Sequence, residues 1–112
     1  MHAFDVLGDP VRRRILEILA ETAQPAGAVT EVIRHEFGIS QAAVSQHLRV
    51  LRESGFAVSS IDGARRIYAI DPEGMQAADK WLDKFRAFWE PKFMALDTEI
   101  ARGKKARRKT ED

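Results

Sequence analysis

The chain has no cysteine. That absence excludes structural disulfides, thiolate metal sites and cysteine nucleophiles together. Histidine is scarce: His2, His35 and His47 are scattered, and no two stand at the i, i+4 spacing that puts two imidazoles on one helix face. The carboxylates Asp79, Asp83, Asp97 and Glu99, on a C-terminal stretch without histidine, are hard ligands lacking imidazole partners; they suit a solvated face better than a transition-metal site. No glycine-rich phosphate loop is present, and no nucleophile, base and orienting group stand at a useful spacing. Ser45 and His47 lie two apart on a helix and diverge. The expectation is a protein with no metal, no cofactor and no catalytic residue. Apolar runs are too short to span a bilayer, and Met1 to Pro10 lacks an uninterrupted apolar stretch. The reading is a soluble, cytoplasmic, nucleoid-associated protein with no membrane partner.

Net charge is also small, at +1, and it hides an asymmetry. Six basic residues against two acidic ones from Arg102 onward leave the tail at +4 and the rest of the chain at −3. A mildly acidic body does not suit non-specific nucleic-acid binding, so any DNA-binding charge must be local. One local stretch stands out: Ser40 to Arg52 contains no acidic residue.

At 112 residues and 45% hydrophobic content the chain has room for one globular domain with a modest core. Dimerisation would add buried surface. The domain is expected over 1–103. Lys104 to Lys109 has no apolar face, and 104–112 is read as a disordered basic tail, either merely solvated or adding phosphate attraction.

Phe4 and Leu7 mark a short first helix within Met1 to Gly8. Asp9-Pro10 opens a second, Asp9 as cap and Pro10 at the first position, with Val11, Ile15, Ile18 and Leu19 at helical spacing to about Ala23. Gln24-Pro25-Ala26-Gly27 reads as a turn. A third helix runs from Thr30 to Phe37 and stops at Gly38. Ser40 caps a fourth, with Val44, Leu48 and Leu51 as its apolar stripe, ending at Gly55. The period then changes to strands at Phe56–Ile61 and Arg65–Ile70 around an Asp62-Gly63-Ala64 turn. Asp71-Pro72 opens a long last helix through Met75, Ala78, Trp81, Leu82, Phe85, Phe88 and Trp89, with a kink expected at Glu90-Pro91 and Phe93, Leu96 and Ile100 beyond. Four helices, a β-hairpin and a long helix make a mainly α chain in the winged helix-turn-helix order.

The fourth helix carries the most information. Opposite its apolar stripe stand Gln41, Ala42, Ser45, Gln46 and Arg49, with Ser40 at the start and His47 beside the stripe. Such a face approaches a major groove closely: Gln suits adenine, Ala a thymine methyl, Ser a base or phosphate, Arg a guanine or phosphate. A carboxylate there would repel phosphate. The competing reading is an ordinary exposed face, which more often carries Glu and Lys.

Four runs resemble the ArsR family: Leu7-Gly8-Asp9-Pro10-Val11-Arg12-Arg13-Arg14-Ile15-Leu16 its opening, Ser40 to Leu51 its recognition helix, Leu51 to Ala57 its helix-to-wing junction, and Gly63-Ala64-Arg65-Arg66-Ile67-Tyr68 its wing. The resemblance covers roughly residues 3 to 71. It implies a homodimeric winged-helix repressor of an operator. The family's metal sensors use cysteine, or histidine with carboxylates on the last helix, and neither set is found here.

The candidate DNA-contacting residues are therefore Ser40, Gln41, Ala42, Ser45, Gln46, His47, Arg49, Gly63, Arg65 and Arg66. Arg65 and Arg66 point to opposite faces of their strand, so at least one faces solvent. His47 is read first as a packed or hydrogen-bonded structural residue, with a phosphate contact as the alternative. Of Arg12, Arg13 and Arg14, one is expected to pair with Asp5, Asp9 or Glu17. Phe4, Leu7, Trp81, Leu82, Phe85, Phe88 and Trp89 are the candidate homodimer interface, joining first and last helices. The same aromatics would also suit an apolar effector pocket; no effector is identified. The rival to a double-stranded DNA operator as partner is a winged-helix module that binds only protein.

Overall fold

The computed structural model of the chain describes residues 2–90. Within them, residues up to Asp79 belong to one compact unit and those from Lys80 to a second. The expected kink at Pro91, the apolar positions Phe93, Leu96 and Ile100, and the basic tail lie outside the described residues.

Helix α1 (Ala3–Leu7) begins at His2, whose Nδ1 accepts the Phe4 amide at 3.1 Å. Helix α2 (Pro10–Glu21) opens as its sequence dictates. The Asp9 carboxylate accepts the Val11 and Arg12 amides at 2.8 and 3.2 Å, and Pro10 occupies a position that needs no N–H. Strand β1 (Gln24–Pro25) leads into α3 (Ala26–Phe37), which ends in a left-handed Gly38 whose N–H bonds the Arg34 carbonyl. Helix α4 (Gln41–Glu53) follows from the Ser40 cap. Strands β2 (Ala57–Asp62) and β3 (Arg65–Ile70) form the hairpin, paired Ala57↔Ile70 to Asp62↔Arg65. Helix α5 (Pro72–Asp83) is opened by Asp71, which accepts the Glu73 amide at 3.0 Å. Helix α6 (Arg86–Trp89) closes the described chain.

The core draws one stripe from each amphipathic segment. Val6, Ile15, Leu16, Leu19, Val29, Ile33, Val44, Leu48 and Leu51 pack with Phe56, Ala57 and Tyr68. In α2 and α4 this is largely the set that the helical spacing selects, though Ile18 is only partly buried. Helix α1 buries Val6 where the spacing pointed to Phe4 and Leu7, and Phe37 shares the apolar side of α3 by spacing yet is exposed.

Three expectations need correction. Gln24-Pro25 is not a turn but a short strand. Gln24 pairs with Tyr68 and Pro25 with Ile67, so the hairpin becomes a three-stranded antiparallel sheet, ordered β1-β3-β2. Two residues carry no periodicity; the open edge of β3 makes them a strand, and an edge tolerates Pro25. Second, α3 starts at Ala26 rather than Thr30. Pro25 presets the backbone without a side-chain cap, and the Thr30 hydroxyl donates back to the Ala26 carbonyl at 2.8 Å. Third, the last helix does not run unbroken to Trp89. After Asp83 the Lys84 and Phe85 amides bond three residues back, to the Trp81 and Leu82 carbonyls. Leu82, Phe85 and Phe88 stand at three-residue steps, a spacing that a tightened turn satisfies as well as an α-helix.

Candidate nucleic-acid interface

Helix α3, the three-residue link Gly38-Ile39-Ser40 and α4 form the helix-turn-helix. Burial of Val44, Leu48 and Leu51 against the core fixes which way α4 faces. Gln41, Ala42, Ser45, Gln46 and Arg49 are all exposed on its other side. Ser40 and Arg49 already have partners in the free protein. The Ser40 hydroxyl accepts the Ala43 amide at 3.1 Å as the helix cap, and Arg49 reaches Glu53 at 3.3 Å. The Arg49 pair is exposed at both ends, so it contributes little. His47 is half-buried, its Nδ1 3.4 Å from the Arg12 guanidinium.

The wing tip is the hairpin turn. Gly63 takes φ +65, the left-handed geometry a two-residue link requires. Both wing arginines are exposed. Arg65 reaches Asp62 at 3.3 Å, and Arg66 donates to the Ser59 hydroxyl at 3.0 Å. The strand carries Tyr68 into the core, but its first two residues project past the core's end, so opposite faces are both solvated there.

A polar cleft of about 460 Å³ joins this face to the start of α3. Gln41 and Ser45 line it from α4, and Gly27, Thr30, Glu31 and Arg34 from α3. Sequence reasoning passed over Arg34 and Thr30. Among the described residues Arg34 has no ion-pair partner. The available signal was a basic residue one turn before Gly38, on the helix preceding the groove-suited one.

The arginine cluster divides its work. Arg14 grips Glu36 through two contacts of 2.8 and 3.1 Å, tying α2 to α3, and its hydrogen bond holds the Glu36 carboxyl below its usual value against desolvation. Arg13 donates to the Leu7 carbonyl at 2.7 Å. Arg12, its side chain only 14% exposed, lies 3.8 Å from Asp9 and also holds carbonyls of α1. The expected pairings with Asp9 and Glu17 are thus both present, Glu17 through Arg14. Among the described residues no three His, Asp or Glu side chains gather to hold a metal ion. No helix there is long and apolar enough to cross a membrane.

A helix-turn-helix domain family matches residues 7–59. The HTH-type transcriptional regulator Rv2034 of Mycobacterium tuberculosis is 40% identical over 83 residues, 74% of this chain and 74% of that protein. The solved structure of a possible transcriptional regulator for arsenical resistance matches with a TM-score of 0.66 at 30% identity, over 94% of this chain and 99% of that one. An ArsR family transcriptional regulator, RHA00566, matches with a TM-score of 0.66 at 26% identity, over 79% of this chain and 87% of its own. The chain belongs to the ArsR family of winged helix-turn-helix transcriptional regulators. In that fold α3 and α4 are the helix-turn-helix and the β2–β3 hairpin is the wing. The transcriptional repressor SdpR of Bacillus subtilis is 27% identical over 84 residues, 75% of this chain and 89% of that protein. A homodimeric winged helix-turn-helix domain from Mycobacterium bovis shares the fold at 18% identity and a TM-score of 0.56, over 95% of this chain and 84% of that one.

The candidate interface residues of this ArsR-family chain fall in both units. Phe4 is half-buried and stacked on His2 with centroids 5.5 Å apart, and Leu7 is half-buried. In the second unit Trp81, Phe85, Phe88 and Trp89 are 40, 37, 80 and 48% exposed, and Leu82 is half-buried. Trp81 and Phe85 rings lie 4.7 Å apart, and Phe85 and Phe88 6.4 Å.

Proposed function

We propose that this regulator is a homodimeric repressor that reads a palindromic operator in double-stranded DNA. The observation that carries the reading is the exposed face of α4 from Gln41 to Arg49, with no acidic residue before Glu53 at the helix end, and with both wing arginines also exposed. Two α4 helices enter successive major grooves about 34 Å apart. Gln41, Ala42, Ser45 and Gln46 meet base edges; Ser40, His47, Arg49 and Arg34 serve the backbone. Gly63 lets the wing approach, and Arg65 and Arg66 reach phosphate or minor groove. Bound dimers repress by occupying promoter DNA, as the name of the SdpR relative supports. Phe4 and Leu7 with Trp81, Leu82, Phe85, Phe88 and Trp89 form the dimer interface, since so many exposed rings in a small chain call for a partner. Residues 1–103 act as the DNA-binding and dimerisation domain and 104–112 as a basic extension. The protein works in the cytoplasm, on the nucleoid, without enzymatic activity.

The test is fluorescence anisotropy on the DNA upstream of the protein's own gene, across a salt series. Saturable, sequence-preferring binding with a steep salt slope and two subunits per site is expected. Gln41→Ala and Ser45→Ala should each cost about 1–3 kcal/mol of operator preference. Arg65→Ala and Arg66→Ala should weaken operator and random DNA alike and flatten the slope. Wild-type affinity in all four variants would displace the site. Salt-insensitive, non-saturable binding would favour a protein-binding module.

A further inference from the structure

Arg12 makes more contacts across the fold than any charge-pairing role requires. Its Nε donates to the Val6 carbonyl at 3.0 Å and one Nη to the Asp5 carbonyl at 3.0 Å, both at the end of α1. The other Nη lies 3.8 Å from the Asp9 carboxylate and 3.4 Å from Nδ1 of His47, thirty-five residues away on α4. One side chain, 14% exposed, therefore spans α1, the cap of α2 and the recognition helix.

The chemistry of the contact sets the state of His47. A guanidinium has five donors and no acceptor, so His47 must offer a lone pair at Nδ1. The contact is a hydrogen bond in the tautomer that carries its ring proton on Nε2, the nitrogen facing away from Arg12 around the ring. Arg12 itself cannot swing, because the α1 carbonyls hold its head in a fixed fork.

We infer that Arg12 is a positioning residue for DNA recognition: through His47 it holds the rotation of α4 and the His47 tautomer in register with the end of α1. The inference rests on the DNA-binding reading. Its physical content is that Val44, Leu48 and Leu51 pin α4 only by apolar packing, which tolerates small rotations. A directed hydrogen bond to a fixed donor does not. Because α1 carries Phe4 and Leu7, the same link ties the proposed dimer surface to the DNA-reading face.

The test is a double-mutant cycle on the full chain, below the melting temperature of every variant, measuring operator-over-random preference. Arg12→Met and His47→Ala should each lower that preference about tenfold. Combined, they should lose no more than either alone, because both remove one contact. His47→Asn keeps an acceptor near the Nδ1 position and should stay within about threefold of wild type. Multiplying losses, wild-type preference in either single variant, or a His47→Asn as defective as His47→Ala would overturn the inference. If wild type itself lacks operator preference, the functional reading fails, and amide exchange in DNA-free protein decides this one. Faster exchange across Gln41–Glu53 in both single variants supports it; unchanged exchange overturns it.

Discussion

Asp9 shows how much one carboxylate can do. Burial raises its pKa, but hydrogen bonds from the Arg12 and Val11 amides and the nearby Arg12 charge outweigh that, and the group titrates below its usual value. A carboxylate with a depressed folded-state pKa contributes stability that is present above the unfolded pKa, about 4. That contribution is lost as pH falls through the lower, folded value. The urea midpoint should therefore fall as pH drops from about 4 toward 3, and Asp9→Ser should fall less steeply while keeping a hydroxyl cap. Asp9→Ala should cost about 1 kcal/mol at pH 7, measured by urea unfolding. Asp9 as a cap was legible because Asp-Pro before an apolar run is a local signal. Of the four targets of Arg12 only Asp9 was: two others are backbone carbonyls, which no side-chain pattern announces, and the last is His47, distant in sequence.

Helix α5 depends on a glycine that sequence reading passed over. A Cβ at Gly74 would stand 2.6 Å from the ring of the fully buried Phe56, and the Gly74 amide bonds the Gly55 carbonyl at 2.8 Å. In an exposed helix, Gly→Ala stabilises by about 1 kcal/mol through propensity. Here overpacking opposes that gain at about 1–3 kcal/mol, because an aromatic ring locked in the core cannot retreat. Gly74→Ala is expected to destabilise, with a lower urea midpoint and an unchanged m-value; a higher midpoint would show that the ring yields. Strand β1 is the converse case. Its residues have turn chemistry, and pairing with β3 overrode it. Helices α2 and α4 needed no such override, since cap, stripe and stop all agreed.

Charge and apolar surface are distributed to match the proposed assembly. A chain of net charge +1 offers no general attraction to DNA, so affinity must come from a few placed groups and from two copies acting together. The second unit leaves Phe88 80% exposed beside Phe85 and Trp89. Phe88→Glu should yield monomers by light scattering after size exclusion, with a melting curve retained for each chain, and operator affinity should fall at least tenfold as the second half-site contact is lost. An unchanged dimer would move the interface elsewhere.

The helix-turn-helix, the hairpin and the outward face of α4 were readable because each rests on short-range physics: side-chain period, caps, a turn glycine and the cost of a carboxylate near phosphate. The resemblance to the ArsR family was readable for the same reason, its motifs being contiguous. Strand β1, the Phe56–Gly74 contact, the cleft that brings Arg34 beside Gln41 and Ser45, and the Arg12 bridge came only with the fold. Each joins groups far apart along the chain, and such pairings have no local signature until packing brings them within a few ångströms.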